Sequence, residues 1–173
     1  MIQDFETQLQ VVQRALGEVV LPALGSAEGH VIEQLQLSIA ALAFMQQRLP
    51  HSRRYHRASL QRYLDLAAAI CALLGDRSGP DISDLAALAS EGRKLLDNPS
   101  AEDADYCRCN RGLREMIAAL VADGTSPADQ TSLDALVLDM GGQILSQDRV
   151  WCLPLGFELR PDDLPPPDWH PSS

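Results

Sequence analysis

The stretch VIEQLQLSIAALAFMQQRLPHSRRYHRASLQRYLDLAAAICALLG, residues 31–75, decides the fold class. Its apolar residues recur at helical spacing. Ile32, Leu35, Ile39, Leu42 and Met45 form one stripe, and Leu60, Leu64, Ala67, Cys71 and Leu74 form another. A further stripe of Leu37, Ala41 and Phe44 shares the first segment, so the spacing predicts a central helix over about 27–49 with neighbours on both sides. A helix over about 54–74 follows and ends at Gly75.

The same periodicity continues outward. Phe5, Leu9, Val12, Leu16 and Val19 predict a helix over about 3–24, kinked or stopped near Pro22 and terminated at Gly25. Ile82, Leu85, Leu88, Gly92 and Leu95 predict a shorter helix over about 82–96, where Gly92 costs roughly 1 kcal/mol against alanine unless it serves a close helix crossing. Cys109, Leu113, Met116 and Leu120 mark a helix over about 101–122, opened by Ser100 and Asp103 as a cap pair. Leu133, Leu136, Met140 and Ile144 carry a last helix to about Gln147, with Gly124 closing its predecessor and Ser126 and Pro127 as its start signals.

After Val150 the periodicity stops, and six of the eleven prolines crowd into WCLPLGFELRPDDLPPPDWHPSS. Proline density favours extended backbone. Yet Trp151, Leu153, Leu155, Phe157 and Leu159 are larger and more apolar than a solvated tail requires, so docking is expected to about residue 160 and mobility beyond Asp162. Their alternation also fits one short strand. The expected architecture is all-α: about six helices in an antiparallel bundle over 1–149, with a proline-rich, non-helical segment over 150–173.

Composition bounds the function. At 173 residues the chain can bury a core without disulfides or metals, and aromatics at only 5% suit helix packing on aliphatic side chains. A net charge of −10 leaves no broad basic face for nucleic acid. No apolar run reaches the roughly 18–20 residues that span a bilayer, and the polar start MIQDFETQLQ is unlike a secretory signal, so a cytoplasmic location is expected. Cys71, Cys107, Cys109 and Cys152 are too few and too irregular for a disulfide framework and should be reduced thiols, Cys71 as a small core residue.

Against this acidic background the window Arg48–Arg62, RLPHSRRYHRASLQR, carries five arginines and two histidines, with no acid between Glu33 and Asp65. It falls where one predicted helix ends and the next begins. Arg53, Arg54 and Arg57 crowd a helix N-terminus, where cations oppose the dipole but where free N–H groups and guanidinium forks suit an anion. Arg48, His51, Tyr55, His56 and Arg62 complete the candidate site. Three outcomes compete: pairing inside the chain with acids at 97–105 or 162–163, an acidic partner or second subunit, and an anionic small molecule.

Other chemistry is weakly supported. Cys107 and Cys109 point about 200° apart on a helix, no C-x-x-C or H-E-x-x-H occurs, and no metal or cofactor is expected. No nucleophile elbow, P-loop or dinucleotide fingerprint is present, so no catalytic residue is assigned and an enzyme is not the preferred reading. Arg108, Arg111 and Arg114 step along one helix as a solvated face, with Arg111 and Glu115 spaced to pair.

Residues 15–49, ALGEVVLPALGSAEGHVIEQLQLSIAALAFMQQRL, resemble the opening hairpin of a poorly characterised bacterial family of small helical proteins. Its members often accompany kinases resembling aminoglycoside phosphotransferases and acyl-CoA dehydrogenases. The resemblance implies an accessory role beside an enzyme of acyl or phosphoryl metabolism and carries no catalytic residue. The expected function is thus a non-enzymatic accessory protein that binds a partner protein or itself through the basic corner, with Trp151, Leu153, Leu155 and Phe157 as a docking segment. The alternative is an enzyme or binder that holds a phosphate, carboxylate or acyl-CoA group there.

Overall fold

The computed structural model describes residues 4–25, 28–75, 80–123 and 127–169. Among these there is no strand, and no helix is long and apolar enough to cross a membrane. The chain forms two compact units: residues 1–50 with 151–162, and residues 51–150 with 163–173. The chain returns from the second unit to the first between Val150 and Trp151. The expected Gly124 and Ser126 caps, and the helix starts at Gln3 and Ala27, lie outside the described residues.

The first unit begins with α1 (Phe5–Arg14), capped by Asp4, whose carboxylate accepts the Glu6 N–H at 2.8 Å. Ala15–Val20 then widens into a π-helix before the short α2 (Leu21–Ala23). Pro22 gives the reason. It has no N–H to donate to Glu18, and its ring would strike that carbonyl, so the turn before it opens and the Leu21 N–H reaches back to Leu16 O. Gly25, at φ 52°, ends the run in the left-handed region, as the sequence predicts.

The next helix, α3 (Gly29–Arg48), packs back on α1 and the π segment, with Gln13 Nε2 donating to Gln46 Oε1 at 2.9 Å. Ile32, Leu35, Ile39 and Leu42 are half-buried along it, yet no described residue of α1, the π segment, α2 or α3 is fully buried. This corrects the central-helix expectation. Two helices bury one stripe each, and the second stripe of α3 has no neighbour at Leu37 and Ala41, which are exposed.

The central helix is in the second unit. There α4 (Ser52–Leu74) packs against both α5 (Pro80–Leu96) and α6 (Asp103–Asp123), which also pack on each other. Leu60, Leu64, Ala67 and Leu74 are buried as their spacing predicts, and Leu66 and Ile70 add a second buried stripe. On α6 the core stripe is Tyr106, Asn110, Leu113, Ile117 and Leu120, so the expected Cys109 and Met116 are only half-buried. Its start also differs: the Asp105 carboxylate accepts the Glu102 N–H at 3.1 Å, in place of a Ser100–Asp103 cap. The last helix, α7 (Pro127–Cys152), runs five residues past the expected stop at Gln147, because the first proline after it is Pro154. Trp151–Leu159 accordingly contains a helix end and a Leu153–Leu155 3-10 turn, not a strand.

Gly92 sits at a close helix crossing in this unit. A Cβ there would lie 2.9 Å from Leu64 Cδ2, 3.2 Å from Cys109 Sγ and 3.4 Å from Leu60 Cδ1. The leucines are fully buried and have nowhere to move. Gly92→Val should cost about 1–3 kcal/mol or more through overpacking, read as a lower urea midpoint at unchanged m-value.

Candidate functional site

The arginine window turns most of its charge inward. The expected turn at its start is a single 3-10 turn, Leu49–His51, and His51 is the N-cap residue of α4 without a side-chain cap bond. In the first unit, Arg48 Nε donates to Trp151 O at 2.8 Å while its guanidinium stands 5.3 Å from the Trp151 ring centroid. Burial lowers the Arg48 pKa from its ordinary value, and nearby Cys152 acts in the opposite direction. Phe44 meets the same indole edge-on at 6.2 Å, and Leu153–Leu155 contacts α3. Trp151, Leu153 and Leu155 are thus half-buried, but Phe157, 77% exposed, is not docked: Gly156 at φ 76° turns the chain away before it.

In the second unit, Arg53 donates to Ala101 O and Pro99 O, both at 3.0 Å, and Arg57 donates to Leu96 O at 3.3 Å. These carbonyls belong to the last residue of α5 and the turn after it, which a helix leaves without intrahelical partners. The intramolecular outcome is realised here, but on backbone oxygens rather than on the acids at 97–105. Arg62 pairs with Asp168, not with Asp162 or Asp163. Tyr55 donates to Asp148 Oδ1 at 2.7 Å and stacks edge-on with Trp169 at 5.2 Å. Arg54 is exposed and makes no hydrogen bond or ion pair among the described residues.

Asp168 and Trp169 belong to a C-terminal strap. Gln147 is buried and grips its backbone twice, donating to Pro166 O at 3.1 Å and accepting from the Asp168 N–H at 3.2 Å. Trp169 is 3% exposed. Mobility directly beyond Asp162 is therefore not what the structure places there. Proline density reports on backbone conformation, whereas the anchoring rests on two side chains whose partners are about a hundred residues upstream.

Beside these contacts lies a polar hollow of about 220 Å³, lined by residues of α4, α6 and α7 that include His56, Tyr63, Cys107, Asn110, Arg111 and Arg114. Asn110 donates to His56 O at 3.1 Å, and its buried Oδ1 has no partner among the described residues. Burial raises the Tyr63 pKa, with Asp148 adding to the rise and the Arg114 guanidinium opposing it. Arg111 does not pair with Glu115: neither makes an ion pair among the described residues. Arg108, Arg111 and Arg114 are all exposed, as the three-residue step predicts, and Arg111 and Arg114 also line this hollow. Burial pushes up the thiols of Cys71, Cys107 and Cys109, as expected of unreactive cysteines, and no cluster suited to a metal occurs among the described residues.

His56 is also affected by this packing. Burial lowers its pKa below the ordinary 6.5, against the pull of Asp103. The unfolded chain then takes up a proton more readily than the folded one, so stability should fall as pH drops through 6.5 and level off below the folded value. Urea denaturation between pH 8 and pH 5 should show this slope, and His56→Gln should flatten it. Comparison with models of protein families, with curated proteins and with solved structures finds no match.

Proposed function

We propose that the protein is a non-enzymatic helical accessory protein that assembles with a second copy of itself through the exposed face of the α1–α3 hairpin. The observation that carries this reading is the missing core of that unit. Its helices contain no fully buried described residue, while Val11, Leu37 and Met45 remain 57%, 50% and 48% exposed. Two helices cannot enclose a core, but two such hairpins supply the four helices of a closed bundle. A two-fold interface sets one patch against itself, which favours a face without like charges. That condition is met on α3, where no charged residue occurs between Glu33 and Arg48.

The basic corner is a weaker interface candidate. Arg48, Arg53, Arg57 and Arg62 each have partners within their own unit, which leaves Arg54 as the arginine of the window open to an outside acid. A cross-linking experiment tests the hairpin reading. In a Cys152→Ser background, cysteines at Leu37 and Met45 should give a covalent dimer on oxidation. A cysteine at Leu138 of α7, itself 76% exposed, should not. Equal cross-linking at the two places would remove the support for the hairpin interface.

A further inference from the structure

The second unit carries a groove that the assembly reading does not use. Ile117, Val121, Val137 and Ile144 line a space of about 520 Å³ along α4, α6 and α7, within the roughly 300–1,000 Å³ usual for ligand sites. Gly141 also lines it, and a Cβ built on Gly141 meets nothing within 4 Å, so the space in front of α7 is open rather than filled by neighbouring side chains. At one end the groove shares Tyr63, Arg114 and Asp148 with the polar hollow that holds Arg111. An apolar trough thus runs into a pocket with two guanidinium groups.

We propose that this continuous site binds a medium-chain fatty carboxylate, with its chain along the groove and its head between Arg111 and Arg114. The charge of the lining residues favours a monoanion over a phosphate. Arg111 and Arg114 are opposed by Asp148, which the Tyr55 hydroxyl holds at 2.7 Å, while burial disfavours the charged forms of His56 and Cys107. A guanidinium presents paired donors that fit a carboxylate's two oxygens. Tyr63 and Arg114 both line the shared end of the two spaces.

Calorimetric titration of the full chain with decanoate and with 1-decanol tests the site. Decanoate should bind saturably at one per chain, and Arg111→Gln with Arg114→Gln should weaken it by about tenfold or more while leaving decanol unchanged. Gly141→Phe should abolish binding of both, with no fall in melting temperature, because it fills open space and removes a helix-interior glycine. Absence of saturable decanoate binding, or unchanged binding in Gly141→Phe, would overturn the proposal. So would equal affinity of decanoate for wild type and the double arginine variant.

Discussion

Trp169→Ala should lower the stability of the second unit by about 3 kcal/mol, the lower end of the range for truncating a buried tryptophan. The indole is 3% exposed and meets the Tyr55 ring edge-on at 5.2 Å, so its loss removes apolar burial and an aromatic pair together. The lower end applies because a terminal strap can detach without unfolding the helices, which limits the loss to the strap's own docking energy. Detachment has a second signature. Arg62 and Gln147 would lose Asp168 and the Pro166 carbonyl, so hydrogen exchange at the Asp168 amide should become fast in the variant and remain slow in the wild type. Unchanged stability and protection would mean that the strap is held by something other than this tryptophan.

Leu37→Asp combined with Met45→Asp should weaken self-association by at least about 100-fold. Burying a leucine or methionine side chain contributes about 1.5–3 kcal/mol, and two such losses exceed the 1.4 kcal/mol that corresponds to each factor of ten. Both residues are about half exposed on α3, so neither substitution disturbs an internal core of the chain. In a two-fold assembly each substitution also appears twice and sets like charges near each other. The variant should therefore keep its helical circular dichroism and lose its partner. A variant that unfolds instead would show that this face is packed within the chain.

The helices were legible from sequence because aliphatic stripes at 3.6-residue spacing dominate the chain; α4 and α5 start within two residues of their expected positions and end on them. Gly92 was legible for the same reason: a costly glycine at an inward position needs a packing explanation, and Leu64 and Cys109 provide it. What could not be read was which helix is central. Both α3 and α4 carry two apolar stripes, and only long-range contacts decide that both stripes of α4 are buried while the second stripe of α3 is covered at Phe44 and left exposed at Leu37 and Ala41.

The arginine window was visible as a charge anomaly, and its position at a helix junction was correctly read. Its partners were not, since Arg53 and Arg57 meet backbone carbonyls, which every residue supplies and no sequence pattern marks. Arg108, Arg111 and Arg114 are exposed, as their spacing predicts; that two of them also line a hollow depends on α7, a helix more than ten residues away in sequence. The Arg48 guanidinium donates to the Trp151 carbonyl, within the five extra residues of α7, a pairing across 103 positions that local propensity does not encode.

Self-association through the hairpin is the central claim, and sedimentation equilibrium of the full chain over a hundredfold concentration range tests it most directly. The account predicts a mass that rises to twice the 18.9 kDa of one chain and returns to one chain in the Leu37→Asp, Met45→Asp variant. A mass of 18.9 kDa at every concentration for the wild-type chain would contradict it.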